Sequence, residues 1–314
     1  MDAVDAIEPH PRTTGPDDVL GRYRYAANIP ANGLMIDGRP ALTQLDPSRI
    51  GRYVLLVVRD PLCAYDEDPA AQFAAELDDA ELVGRSGMFT TYSGTYGDAP
   101  VTVLSGGSGG PEVELALMEL FEHTNADTFI RVGGSGGMHA RVQPGDLVIA
   151  TGVVRDEGVS QAYIPQAYPG VCSPEVVLAL TQAAAGHGAP FHLGLTRSTD
   201  SDFVAGGRPA ARGYFQPAHL DLVETWTRAG VLNGDRESAA IVTLASLFGL
   251  RGGSICSVAD NIVTGARFMP GAGHTDAMRV ALDGVAVLHA MDRAREAAGL
   301  AMWIPALSEA GGSA

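Results

Sequence analysis

Six consecutive apolar residues, Tyr53 to Val58 (YVLLVV), run into the charged turn Arg59-Asp60-Pro61. A β-branched run with no polar alternation fits a strand covered on both faces, and such strands belong to sheets flanked by helices. The rest of the chain alternates accordingly. Strands are predicted at Phe89–Tyr96 and Val101–Leu104, joined at a Gly-Asp turn, then at Thr128–Val132, around Asp146–Thr151, at Phe191–Ser198 and at Gly253–Ala259. Helices are predicted over 69–83, Glu112–Thr124, Pro174–His187, near Leu220–Ala229, over Glu237–Phe248 and from about Thr275. This order implies the α/β class with a largely parallel or mixed sheet.

A chain of 314 residues, 46% hydrophobic and 18% charged, can bury one full α/β core. We expect a partly flexible N-terminal arm over 1–50 and a single catalytic domain over 51–314. The acidic, Pro-rich start resembles neither a secretory signal nor a transit peptide, so the cytoplasm is the expected location. No apolar run approaches the roughly eighteen residues of a membrane span. A net charge of −16 argues against polymeric nucleic acid and anionic membranes as partners. Cys63, Cys172 and Cys256 have no metal-ligand spacing and read as free thiols. All 21 basic residues are arginine, so no lysine exists for a Schiff base or a phosphate-binding P-loop.

Three constellations carry the chemistry. Glycine loops follow two strands, SGGSGGP at Ser105–Pro111 and GGSGG at 133–137, where backbone amides approach ligands at the carboxyl end of a sheet. Arg131 ends an otherwise apolar strand. Burying it requires an anion or a core carboxylate, and Gly134, Ser135 and Gly136 add further donors for an anion. Asp235-Arg236-Glu237 precedes an apolar helix. Its carboxylates serve either as first-turn helix residues or as ligands for vicinal sugar hydroxyls.

The segments FIRVGGSGGMHARVQPGDLVIATGVVRDEG, SGGSGGPEVELALMEL, YIPQAYPGV, STDSDF and Asp235-Arg236-Glu237 stand in the order found in the nucleoside phosphorylase family. They most resemble its uridine phosphorylase branch, over roughly residues 53–300. The resemblance implies a three-layer α/β sandwich whose mixed central sheet partly closes into a barrel, and a homo-oligomer, hexamer first and dimer second. It implies phosphate held by Arg131, Gly134 and Ser135, and ribose held by Glu237 with Asp235 and Arg236 beside it. It further implies a base site at Phe203, with Asp202 one residue away, Arg208 and Gly136. Inorganic phosphate is the co-substrate, with no metal and no organic cofactor. C–N cleavage builds positive charge on the sugar, so a carboxylate at the ribose, an anion at C1′ and a donor at the base are the groups it needs.

The chain departs from the family pattern in its anion and base sites. Arg59 stands where a glycine is usual and Cys63 where a phosphate-binding arginine is usual. Gly87 replaces an arginine lent by a neighbouring subunit, Gly134 a threonine, Arg236 a methionine, and Gly206 or Gly207 a glutamine. One reading is a phosphorylase in which Arg59 supplies the lost charge. A second is a nucleosidase using water, and a third a catalytically silent nucleoside binder. Arg59 and Arg236 also suit a 5′-phosphate or another 5′ modification, unless Arg236 pairs with Asp235. Asp260 resembles the general acid of purine-cleaving relatives, or else is a loop carboxylate. Arg208 and YIPQAYPGV favour a pyrimidine, and the base site is expected to be uridine-like.

Overall fold

A computed structural model describes residues 33–60 and 67–307. Cys63 and the arm up to residue 32 lie outside the described residues. The strands are β1 (Met35–Ile36), β2 (Arg39–Pro40), β3 (Tyr53–Val58), β4 (Asp78–Arg85), β5 (Thr90–Tyr96), β6 (Ala99–Gly106), β7 (Thr128–Gly137), β8 (Leu147–Asp156), β9 (Gly170–Val171), β10 (Phe191–Thr199), β11 (Val231–Asp235) and β12 (Arg251–Asn261). The helices are α1 (Pro69–Ala74), α2 (Gly110–His123), α3 (Gly158–Tyr163), α4 (Pro174–His187), α5 (Pro217–Arg228), α6 (Ser238–Leu247) and α7 (His274–Ala297).

The main sheet runs β4-β5-β6-β3-β7-β12-β8-β10-β11, and β11 returns to pair antiparallel with β7. The last five strands therefore close into a barrel. The fold is the expected three-layer α/β sandwich with a mixed, partly closed sheet. Strand β3 shows why: Tyr53, Leu55 and Val57 enter a core shared with α4 and α7, while Val54 and Leu56 enter one shared with α2 and α6. Its continuous apolar run serves two cores at once.

Two expectations are corrected, and two elements come as additions. The helix predicted over 69–83 stops at Ala74, and Asp78–Arg85 is an edge strand against β5. Its sequence, DDAELVGR, suits either state, and cross-strand pairing decides between them. The segment at 133–137 is not a loop. It continues β7, paired with β12 as far as Gly137. Strand β11 and helix α3 were not anticipated; VLNGD is too short for its period to show. Within the arm expected over 1–50, the Glu119 carboxylate accepts from the Leu42 and Thr43 amides at 2.8 Å each, and Leu45 is fully buried.

Candidate active site

The cleft opens where the sheet divides. Strands β3 and β11 lie on the same side of β7, but β3 pairs with it only through Arg131 and β11 begins only at Gly136. Between them, Val132–Ser135 presents an edge that, among the described residues, no strand pairs on that side. Ligand-binding crevices form at such divergences. A cavity of about 200 Å³ lies here, bordered by Arg131, Gly133–Met138, Asp235–Glu237, Arg197, Asp202, Arg208, Asp260 and Phe268.

Arg131 and Glu237 form its floor. The Arg131 side chain is 4% exposed and that of Glu237 2%, and Arg131 Nη2 lies 2.9 Å from Glu237 Oε2. The Arg131 guanidinium also meets the Val132 carbonyl, and Asp235 Oδ2 stands 3.9 Å from its Nε. Its curl fills the space above Gly133, where a Cβ would stand 1.8 Å from Nη1. Glycine is required there because the buried, ion-paired arginine has nowhere to retreat. Of the two partners the sequence left open, Arg131 takes the core carboxylates, and it borders the cleft.

The two carboxylates of Asp235-Arg236-Glu237 divide their tasks. Asp235 turns inward, accepting from the Ser198 hydroxyl at 2.5 Å and from the Ser238 amide at 3.1 Å, and so caps α6. Burial first, then the neighbouring Glu237 charge, raises its pKa, while Arg131 opposes them. The ribose role expected of Asp235 therefore gives way to a structural one. Glu237 makes no cap. Its Oε1 accepts from the Gly109 amide at 2.6 Å and the Ser108 hydroxyl at 3.1 Å, tying the first glycine loop to the floor. Gly109 adopts φ +107°, a backbone that side chains rarely tolerate. Arg236 pairs with Asp202 at 3.2 Å rather than with Asp235.

Ser135 and Gly134 border the cavity, but the Ser135 hydroxyl gives its proton to the Ser257 carbonyl at 2.8 Å and accepts from Asn233 Nδ2 at 2.9 Å. Arg59 is not brought to the cavity. Its Nε donates to Asp68 at 3.0 Å and its Nη2 to Thr90 at 2.9 Å. Asp68 also caps α1 and accepts from Ser105, so it anchors Arg59 outside the cavity lining. Phe203 is likewise displaced. It is 59% exposed and outside the cavity wall, which Asp202 instead lines. The aromatic wall is Phe268, joined by Ile262, from the segment between β12 and α7. That segment was overlooked because nothing in IVTGARFMPGAG marks it as a wall.

Arg208 and Asp260 form an ion pair over Gly136. Burial raises the Asp260 pKa, and Arg208 works against it. Asp260 is held by Arg208 and not by loop amides. The buried Arg197, bound to Asp156 at 2.8 Å and to the Ala205 carbonyl at 2.7 Å, supports the segment bearing Asp202 and Arg208. YIPQAYPGV is gathered around one guanidinium: Arg155 donates to the carbonyls of Ile164, Pro165, Gln166 and Tyr168, and to that of Ser160 just before the segment. Among the described residues, no cluster of three His, Cys, Asp or Glu is arranged for a metal ion, and no helix is long and apolar enough to cross a membrane.

Residues 56–286 match the family model described as the phosphorylase superfamily. The chain belongs to the phosphorylase superfamily. Within it, the chain is 38% identical to the uridine phosphorylase of Thermococcus kodakarensis over 261 residues, covering 83% of this chain and 91% of that one. It is 34% identical to the uridine phosphorylase of Treponema pallidum, over 80% of this chain and 95% of that one. A guanosine phosphorylase from Halorubrum lacusprofundi is 31% identical over 60% of this chain and 72% of its own length. This superfamily member is thus an enzyme of uridine phosphorylase-like sequence.

Proposed function

We propose that the protein cleaves or forms the N-glycosidic bond of a nucleoside, using inorganic phosphate to give free base and ribose 1-phosphate. The observation that carries this reading is the buried Arg131–Glu237 pair beside the unpaired edge of β7. It offers a fixed cation for an incoming phosphate and a carboxylate for the ribose hydroxyls. In the reaction the phosphate oxygen bonds to C1′ as the C–N bond breaks and its electron pair leaves with the base. Glu237 favours positive charge on the ribose, Arg131 orients the phosphate, and Arg208 meets the base. Gly134 contributes backbone at the anion site. The uridine phosphorylases among the relatives support a pyrimidine substrate, and the guanosine phosphorylase keeps purines in the test.

Uridine, cytidine, inosine, guanosine and adenosine incubated with and without phosphate, with ribose 1-phosphate and free base both read, test the proposal. Release only with phosphate supports it, and release indifferent to phosphate makes the enzyme a nucleosidase. One observation favours that second reading. Glu237 and Asp235 already neutralise Arg131, so the site holds together without an anion. Arg236 beside the cavity supports a 5′-phosphate or other 5′ modification, and its pairing with Asp202 weakens that support. Turnover of UMP or 5′-amino-5′-deoxyuridine above uridine decides it. We take the enzyme to be a homo-oligomer, supported by exposed apolar side chains such as Val171, Leu178 and Leu193; sedimentation reads the assembly.

A further inference from the structure

Arg131 is shared by two buried carboxylates. Its Nη2 lies 2.9 Å from Glu237 Oε2 and its Nε 3.9 Å from Asp235 Oδ2, and none of the three side chains is more than 4% exposed. One guanidinium cannot offset two carboxylates, so with both ionised the floor is net negative where an oxyanion has to enter. The other titratable groups around Asp235 give no relief. Burial, then the charge of Arg131, pushes the pKa of His274 at the start of α7 down to about 4, so its imidazole is neutral. Cys256 of β12 has its Sγ 4.0 Å from Asp235 Oδ2; burial, then the Asp235 charge, pushes it up to about 12, and it stays a thiol. The adjoining Arg236 is turned to Asp202.

The two carboxylates are unequally placed to give up their charge. Glu237 accepts from Arg131 Nε at 3.1 Å and from the Gly109 amide at 2.6 Å, besides its contact with Nη2, and charge-assisted bonds of this kind hold it ionised. Asp235 is served by neutral donors, the hydroxyl of Ser198 on β10 and the amide and hydroxyl of Ser238 on α6. A hydroxyl suits either form of the acid. Ser238 Oγ reaches Asp235 Oδ2 on one side and Ser254 Oγ on the other, at 2.7 Å, and Ser254 reaches Cys256 Sγ. Turned toward Ser254, the Ser238 hydroxyl accepts from a protonated Asp235; turned back, it donates to an ionised one. Burial, and then the Glu237 charge, raise the Asp235 pKa in the same sense. We propose that Asp235 takes a proton from solvent as an oxyanion binds beside Arg131 and returns it when the anion leaves, so that the site admits anion and proton together. A neutral Asp235 leaves Arg131 to divide its charge between Glu237 and the anion. Asp235 is thus a positioning residue that acts through Arg131.

The coupling rests on the phosphate reading of the cleft but not on the choice of nucleoside. Sulfate is the probe, because it stays doubly charged where phosphate itself titrates. Calorimetric binding of sulfate to the wild-type protein, from acid to alkaline pH in buffers of low and high ionisation enthalpy, counts the protons bound with the anion. Affinity is expected to be level where Asp235 is already protonated in the free protein. At higher pH the count should rise to about one per sulfate while affinity falls about tenfold per pH unit, since the bound state holds the extra proton. In Asp235→Asn the count should stay near zero and affinity should be level with pH, a change that loss of a helix cap alone does not produce. Infrared difference spectra of the wild type, which need no variant, should gain a protonated-carboxyl band when sulfate is added at the higher pH. Sulfate bound with no proton uptake at any pH, or without that band, would overturn the inference and leave phosphate as the nucleophile, and so would uptake undiminished in Asp235→Asn. A protein that binds neither sulfate nor phosphate would overturn both.

Discussion

Arg131 Nη2 and Glu237 Oε2 face each other at 2.9 Å on the floor of the cleft, both nearly excluded from solvent. Asp235 also lies 3.9 Å from the guanidinium, so removing Arg131 leaves two buried carboxylates facing each other without their cation. Arg131→Ala is expected to lower unfolding stability by about 3–5 kcal/mol, read by denaturant titration. Glu237→Gln keeps the shape and an acceptor, so it should fold while kcat/KM drops by about 100- to 1000-fold. Near-wild-type turnover in that variant would remove Glu237 from the chemistry.

Arg59 offers the opposite outcome. Its guanidinium is held by Asp68 and Thr90 and faces away from the cavity. Arg59→Ala should leave the KM for phosphate within about twofold, the scatter expected of a group making no contact with the ligand. A tenfold rise would restore Arg59 to the anion site that its place in the sequence suggests.

Two phenylalanines divide similarly. Phe268→Ala removes an aromatic face from the cavity wall and should raise nucleoside KM by about tenfold, the effect of losing 1–2 kcal/mol of ring contact. Phe203→Ala, at a side chain turned to solvent, should change KM little. Steady-state kinetics on the two variants compares them directly.

Much of this was legible in the chain. YVLLVV announced a doubly covered strand, and Pro174–His187 appears with the predicted bounds because Pro174 opens the helix and Gly188, at φ +83°, closes it. Arg131 and Glu237 could be singled out because burying a charge demands a partner. What stayed hidden depends on closure of the barrel. GGSGG reads as a loop until β12 and β11 pair with it, and VLNGD reads as nothing until β11 bridges β10 and β7. The pattern favours Phe203 over its neighbour, but Asp202 lines the cavity and Phe203 does not. Arg59 was read as a free cation because Asp68, nine residues on, gives no sequence signal that it is the partner.

Arg155 should prove a positioning residue whose loss is felt in structure before catalysis. Its guanidinium gathers five carbonyls of the segment 160–168, together with the Ser160 hydroxyl at 2.9 Å. Arg155→Met leaves the buried Ser160 carbonyl unsatisfied, at about 1–3 kcal/mol, and gives the part-buried carbonyls beside it to water. Hydrogen exchange should show faster exchange across 158–171, with the slow amides of β3 unchanged. Uniform protection in the variant would mean that the segment holds its shape without the arginine.

His274 sets a pH limit on the fold. Burial first, and then the positive charge of Arg131, hold its pKa down to about 4 from the ordinary 6.5. The folded protein therefore keeps this imidazole neutral where the unfolded chain would protonate it. A depressed folded pKa contributes stability that is full above pH 6.5 and is lost as pH falls toward 4. The depression corresponds to ~3 kcal/mol over that window. Asp235 works with the opposite sign, because its raised pKa relieves a cost as pH falls, so the wild type alone cannot isolate the histidine. His274→Gln does so by difference. Measured by urea titration at closely spaced pH values, the wild type should lose about 3 kcal/mol relative to the variant between pH 6.5 and 4, and nothing further below. A difference independent of pH would show that His274 titrates alike in the folded and unfolded chains.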